Sequence, residues 1–82
     1  MQAEVRLSNT ILAIAKKLAA QGPGFSQQSA VLEEVKRVVP NSSDLNVQQK
    51  ILRTWHSLFI DGHLSWGYDL SNPDSPFYHV TR

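Results

Sequence analysis

The sequence predicts an α+β domain in which three helices precede a two-stranded β-hairpin, and three observations support this fold class. Apolar residues recur at spacings of three and four up to residue 60, which is the period of an amphipathic helix. Glycine or proline interrupts this pattern at residues 22–24, at Pro40 and at Gly62, and these residue types end helices. After Gly62 the apolar period shortens to two, which is typical of strands.

Length and composition favour one small globular domain spanning residues 1–82. The chain has 82 residues, 41% of them apolar, and a net charge of +1. It contains no cysteine, which excludes disulfides, thiolate catalysis and cysteine-based zinc sites. Because no apolar run approaches the ~18 residues of a membrane span, we expect a soluble, cytoplasmic protein without a membrane partner.

The first two helices are predicted from their apolar faces and their ends. The first runs from about Ala3 to Ala20, and the second from about Gln27 to Val39 with Ser26 as its N-cap. Phe25 has two interpretations. It packs on the second helix as a hydrophobic staple, or it forms a minimal strand that pairs with the last strand.

The third helix is predicted from about Val47 to Asp61, with Asn46 as the preferred N-cap and Asp44 as the alternative. Its buried face consists of Val47, Ile51, Trp55 and Leu58. At ~100° per residue, the opposite face carries polar and basic side chains. These are Gln49, Arg53 and His56, with Lys50 and Ser57 beside them and the apolar Ile60 near the end of the helix.

The hairpin register follows from the apolar alternation. Placing Leu64 opposite Val80 brings Trp66 opposite Tyr78 and turns all four side chains towards the core, whereas a one-residue shift separates these pairs. Tyr68 is expected on the same side as Trp66. The outward Phe77 is expected to cover Gly67. The connecting segment Asp69 to Pro76 is rich in turn-forming residues.

Three segments of the chain resemble the winged helix-turn-helix superfamily, in particular the bacterial MarR/PadR-type pattern. They are Asn46-Val47-Gln48-Gln49-Lys50, Phe59-Ile60-Asp61-Gly62-His63-Leu64 and Tyr78-His79-Val80-Thr81. The resemblance implies a winged-helix fold in which residues 69–76 form the wing. In that pattern the closing threonine caps a further helix, so we expect this domain to be excised from a longer protein that continues past Arg82.

The resemblance also implies binding of duplex DNA by the outer face of the third helix, which enters the major groove in winged helices. Gln49 is suited to adenine and Arg53 to guanine, while Lys50, His56 and Ser57 are suited to phosphates or base edges. Ser26 and Gln27 would offer backbone N–H groups to a phosphate. The wing argues against DNA, because Asp69 and Asp74 occur there without any lysine or arginine.

Two other interpretations of these residues stay open. The outer face of the third helix is also compatible with an ordinary solvated surface. Alternatively, the outward Ile60 and Phe77 serve a protein-interaction (adaptor) module that binds no DNA. The three histidines show no ligand spacing and no nucleophile motif is present, so we expect neither an enzyme nor a cofactor or metal. Oligomeric state is left open.

Overall fold

The chain folds as an α+β domain of three helices and a small three-stranded antiparallel sheet, so the predicted fold class is confirmed at that level. The computed structural model describes the backbone of residues 2–81 and the side chains of residues 6–81. The elements are α1 (Gln2–Gln21), β1 (Phe25–Gln27), α2 (Gln28–Val38), α3 (Leu45–Ile60), β2 (Leu64–Trp66) and β3 (Phe77–Val80).

The segment between α1 and α2 forms a strand, and this corrects the predicted start of the second helix. Ser26 is not an N-cap: it lies in β1 opposite Tyr78 of β3. Gln27 occupies the cap position without a side-chain hydrogen bond, and the N–H of Gln28 donates to the carbonyl of Pro76 at 2.8 Å. Of the two interpretations of Phe25, the minimal strand is therefore confirmed.

Helix α3 begins two residues earlier than predicted because Asp44, the alternative cap, is the one used. The Asp44 carboxylate accepts the backbone N–H of Asn46 at 2.8 Å. The prediction that Asn46 caps this helix is wrong, since Asn46 lies inside its first turn. At the other end the N–H of Gly62 donates to the carbonyl of Phe59 at 3.1 Å, with Gly62 at φ +83°.

The sheet has the order β1-β3-β2, and the predicted hairpin register is confirmed. Leu64 lies opposite Val80 and Trp66 opposite Tyr78. The pairing of Phe25 with His79 adds a third strand to the predicted hairpin. Because residues directly opposite each other share a face, the inner face turns Leu64 and Tyr78 into the core.

The core lies between this inner face and the three helices, with Trp55 at its centre. The Trp55 ring contacts Tyr78 edge-to-face with centroids 5.4 Å apart, and its Nε1 donates to Oε1 of Gln28 at 2.8 Å. The Tyr78 hydroxyl donates to the carbonyl of Ala15 at 2.7 Å. Burial raises the pKa of Tyr78 to about 12, and a hydrogen bond with Ser26 acts in the opposite direction.

Gly67 reverses the alternation after β2, so the predicted side of Tyr68 is wrong. With Gly67 at φ +83°, Tyr68 instead stacks on Phe25 at a centroid distance of 3.9 Å and meets Phe77 edge-on at 5.0 Å. We call these three residues the outer aromatic cluster. The space that Phe77 was expected to cover is filled by Pro73, whose backbone lies 2.5 Å from a Cβ built on Gly67.

Helix length and polarity also bear on the membrane question. Across residues 2–81, none of the helices combines enough length with enough apolar character to cross a membrane. The longest, α1, has 20 residues but carries charged and polar side chains along its exposed side, among them Arg6, Lys16 and Lys17. Its buried positions, Ile11, Ala15 and Ala19, recur every four residues and face the core.

Candidate functional site

Four side chains form a straight exposed row on α3, which we call the α3 ridge: Gln49, Arg53, His56 and Ile60. They are spaced by four, three and four residues, which aligns them on one face. That face lies opposite the buried Ile51, Trp55 and Leu58. Ile60 has 84% of its surface exposed, so the ridge combines polar and basic groups with one apolar end.

The two remaining candidates on α3, Lys50 and Ser57, do not share the ridge. Both are half-buried and turn towards α1. There they border a cavity of about 220 Å³, which we call the α1–α3 cleft. It is lined by Ser8, Lys50, Arg53, Thr54 and Ser57. Arg53 thus belongs to both surfaces, and the predicted single outer face is in fact two adjoining surfaces.

Within residues 6–81, no carboxylate forms an ion pair with the basic groups of these two surfaces. Among the side chains of residues 6–81, the one ion pair joins Arg37 to Glu34 on α2 at 3.4 Å. Lys50 and Arg53 therefore have no such partner within the part of the chain whose side chains are described.

Ser26 and Gln27 are both paired in β1, and of the two only Gln27 reaches the start of α2. Both belong to β1, so neither opens α2 with free N–H groups. The Ser26 side chain points to the inner face of the sheet, since Ser26 pairs with the buried Tyr78. The predicted position at a helix start is wrong for Ser26, whereas Gln27 stands at the cap position directly before α2. The first N–H of α2 is already bound to the carbonyl of Pro76.

The acidic residues of the connecting segment have different environments. The Asp69 carboxylate accepts hydrogen bonds from the N–H groups of Ser71 and Asn72 and from the Asn72 amide, at 2.7 to 3.0 Å. It thereby holds a tight turn, in which Asp69 and Asn72 also form a bridge. This turn displays Leu70, which is 99% exposed. Asp74 is exposed.

The two residues proposed for a protein interface differ in exposure. Ile60 is open to solvent, but Phe77 is half-buried within the outer aromatic cluster. Sequence reasoning missed Leu70 and Leu45, which is 64% exposed. Leu70 had a signal, because it stands between Asp69 and Ser71-Asn72, all of them turn formers. Leu45 had the same kind of signal, directly after the capping Asp44.

A second groove runs between α2 and α3 and has a volume of about 190 Å³. It is lined by Leu32, Glu33, Lys36, Ser42, Gln48, Ile51 and Leu52. The Ser42 hydroxyl donates to the carbonyl of Lys36 at 2.6 Å, and Gln48 donates to the carbonyl of Ser42 at 2.9 Å. These bonds tie the α2–α3 connection to both helices and fix the angle at which α3 is presented.

No group of three or more histidine, aspartate or glutamate side chains within the described part of the chain is arranged to hold a metal ion. His79 is engaged locally: its Nδ1 lies 2.8 Å from the carbonyl of Gly67, an acceptor, so Nδ1 carries the proton. No family model, curated protein or solved structure matches the chain. The chemistry of the α3 ridge and the α1–α3 cleft is therefore argued from their residues.

Proposed function

We propose that this domain is a winged-helix module that binds duplex DNA through the α3 ridge. The observation that carries this proposal is the alignment of Gln49, Arg53 and His56 on one exposed line of α3, with no described carboxylate beside Arg53. A row of hydrogen-bonding side chains on one helix is what reading of base edges requires. The proposal places the domain among non-enzymatic binding modules.

The order of the elements supports the winged-helix assignment. Helix α3 follows α2 after a short polar connection and leads directly into β2, while β1 precedes α2 and completes the sheet with β3. In such an arrangement the second helix of the pair is the one presented to the major groove. The segment between β2 and β3 then corresponds to the wing.

The dimensions of the ridge suit a short DNA site. From Gln49 to Ile60 the helix advances 11 residues, about 16 Å at ~1.5 Å per residue. At ~3.4 Å per base pair this covers roughly five base pairs, and the major groove is about 12 Å wide, enough for one helix. Gln49 pairs with adenine, Arg53 with guanine, and Ile60 is suited to a thymine methyl group.

The acidic wing limits the proposal to contacts made by the helix. The Asp69 carboxylate stabilises its turn through three hydrogen bonds, which is a structural reason for an acidic residue at this position. Its negative charge still disfavours a phosphate nearby. With a net charge of +1 and few basic groups, we expect weak binding that depends strongly on salt.

Fluorescence anisotropy of labelled duplex DNA tests this function. Wild-type protein should bind at low salt, and log K should fall with log salt concentration by about 0.9 per phosphate contacted. Arg53→Glu should abolish binding. The matched control is Lys17→Glu, which makes the same charge change on an exposed position of α1 and should bind like the wild type. If both variants lost the same DNA affinity, binding would depend on net charge alone and the proposed role of the α3 ridge would be contradicted.

A protein-interaction module is the second candidate, favoured by the exposure of Ile60 at 84% and of Leu70 at 99%. Both are presented by rigid elements, the end of α3 and the Asp69 turn. In this case the wild type binds no DNA even at low salt. Ile60→Asp, Leu70→Asp or Phe77→Asp should then weaken association with a cross-linked partner protein, whereas Ala13→Asp on the exposed side of α1 should not.

A further inference from the structure

The residues that line the α1–α3 cleft in the described part of the chain are cationic or carry a hydroxyl group. Lys50, Arg53, Thr54 and Ser57 come from α3 at spacings of three, one and three residues, and Ser8 faces them from α1. Among the side chains of residues 6–81, no apolar or acidic one lines it. Such a set of donors is suited to a small anion and to few other ligands.

The electrostatics of the cleft favour an anion over water. Lys50 is half-buried, so its charge is less screened than that of a fully exposed lysine. Arg53 lies beside it, and within residues 6–81 neither cation forms an ion pair with a carboxylate. Two neighbouring cations repel each other, and an anion held between them would remove that repulsion.

The hydroxyl groups can reorient towards such a ligand at little cost. The Thr54 hydroxyl donates to the carbonyl of Lys50, and the Ser57 hydroxyl to the carbonyl of Thr54, both at 2.8 Å. In an α-helix each of these carbonyls is also the acceptor of the N–H four residues later. Rotating either hydroxyl into the cleft therefore leaves no carbonyl without a donor.

The size of the cleft restricts the ligand further. Its volume of about 220 Å³ is below the roughly 300–1,000 Å³ of sites that enclose whole cofactors or substrates. A tetrahedral oxyanion is small enough to lie within it. An arginine and a lysine with nearby hydroxyls are the side chains that most often bind phosphate.

We propose that the α1–α3 cleft is a phosphate-binding site, with Lys50 and Ser8 as its donors and Arg53, which is shared with the α3 ridge, at its border. The phosphate comes from a nucleic-acid backbone or from free inorganic phosphate. The first source rests on the proposed function: the cleft would then hold a backbone phosphate beside the groove read by the α3 ridge. The second source is independent of DNA binding.

Amide NMR titration of the whole chain with sodium phosphate, against sodium chloride of equal ionic strength, tests the site itself. Phosphate should produce saturable shifts confined to residue 8 and residues 50–57. Ser8→Asp should weaken this binding by about tenfold or more, the value of a charge-assisted hydrogen bond. Asn9→Asp carries the same charge on the next, exposed position and should bind phosphate like the wild type. Ser8→Ala supplies a second variant, without added charge, that should bind more weakly.

DNA anisotropy with the same variants identifies the source. If a backbone phosphate occupies the cleft, Ser8→Asp should make the salt dependence shallower by about 0.9 relative to Asn9→Asp. If phosphate saturates the cleft but the wild type binds no DNA, or Ser8→Asp leaves the DNA slope unchanged, the ligand is free phosphate and the site stands. The site is refuted if phosphate acts like chloride and the Ser8 variants leave DNA binding unchanged.

Discussion

The indole Nε1 of Trp55 donates a 2.8 Å hydrogen bond to Oε1 of Gln28, which joins the middle of α3 to the first residue of α2. Trp55 has no exposed surface, so this bond satisfies the one polar group that its side chain takes into the core. The backbone N–H of Gln28 also donates to the carbonyl of Pro76, the last residue of segment 69–76. Gln28 thus connects α2 both to α3 and to segment 69–76.

Replacing Gln28 with leucine tests this relationship. The apolar side chain is similar in size but leaves the Trp55 N–H buried without an acceptor, which should lower the free energy of unfolding by about 1–3 kcal/mol. Urea unfolding followed by tryptophan fluorescence measures the change. Ser29→Ala alters the next, exposed residue of α2 and should stay within about 0.5 kcal/mol of the wild type. Equal stabilities of Gln28→Leu and Ser29→Ala would contradict the role of this bond.

Tyr78 predicts a loss of stability in alkaline solution. Its pKa is raised to about 12 by burial, against ~10 in the unfolded chain, so the folded state keeps a proton that the unfolded state releases. The stabilising effect is complete below pH 10 and is lost as pH rises towards 12. At ~1.4 kcal/mol per pKa unit, this loss is on the order of 2–3 kcal/mol.

Tyr78→Phe separates this contribution from other groups that titrate in the same range. The variant lacks the hydrogen bond to the Ala15 carbonyl, so at pH 8 it should be about 1 kcal/mol less stable than the wild type. Because phenylalanine does not titrate, the difference should shrink above pH 10 and reverse between about pH 10.5 and 11. Unfolding free energies of both proteins between pH 8 and 12 measure it. A constant difference over this range would contradict the prediction.

The fold was predictable where the sequence pattern was compatible with a single arrangement of the backbone. Leu64, Trp66, Tyr78 and Val80 allow only one register that turns all of them inward, and this is the register observed. The start of α2 had two solutions, because Ser26 suits both a cap and a short strand. Pairing with β3 decided between them, and that pairing involves residues about 50 positions apart.

The candidate site was predictable only as far as one helix determines it. Helical periodicity gave the exposed row of Gln49, Arg53 and His56. It did not give the α1–α3 cleft, because the approach of Ser8 depends on how α1 crosses α3, which the packing of both helices determines. The strand alternation in turn gave the wrong side for Tyr68, because a positive φ at Gly67 cannot be recognised from the spacing of apolar residues.

The N-cap of α3 provides a direct comparison of two neighbouring residues. Asp44→Ala removes the acceptor of the Asn46 N–H and should cost about 1 kcal/mol of unfolding free energy, within a usual range of ~0.5–2. Asn46→Ala deletes a side chain that makes no capping bond, so it should be neutral or slightly stabilising. Thermal unfolding of both variants measures the contrast. A larger loss for Asn46→Ala would instead make Asn46 the functional cap.

Gly67 and Gly24 both have a positive φ, +83° and +100°, but they differ in their surroundings. A Cβ on Gly67 would lie 2.5 Å from the backbone of Pro73, whereas a Cβ on Gly24 meets nothing within 4 Å. Gly24→Ala should therefore cost only the conformational strain, about 1–2 kcal/mol. Gly67→Ala should cost clearly more, because the backbone around Pro73 must move away from β2.

Denaturant unfolding of both alanine variants, with amide spectra of the folded forms, tests this contrast. In Gly67→Ala we expect the amide signals of Tyr68, of the Asp69 turn and of the neighbours of Pro73 to move. The N–H of Gly67 donates to the carbonyl of Phe77 at 2.6 Å, and the N–H of Tyr68 donates to the carbonyl of Asn72 at 2.9 Å, so both hydrogen bonds are affected. In Gly24→Ala changes should stay near β1. If the two variants lose the same stability, the close approach of Pro73 contributes nothing and only backbone strain remains.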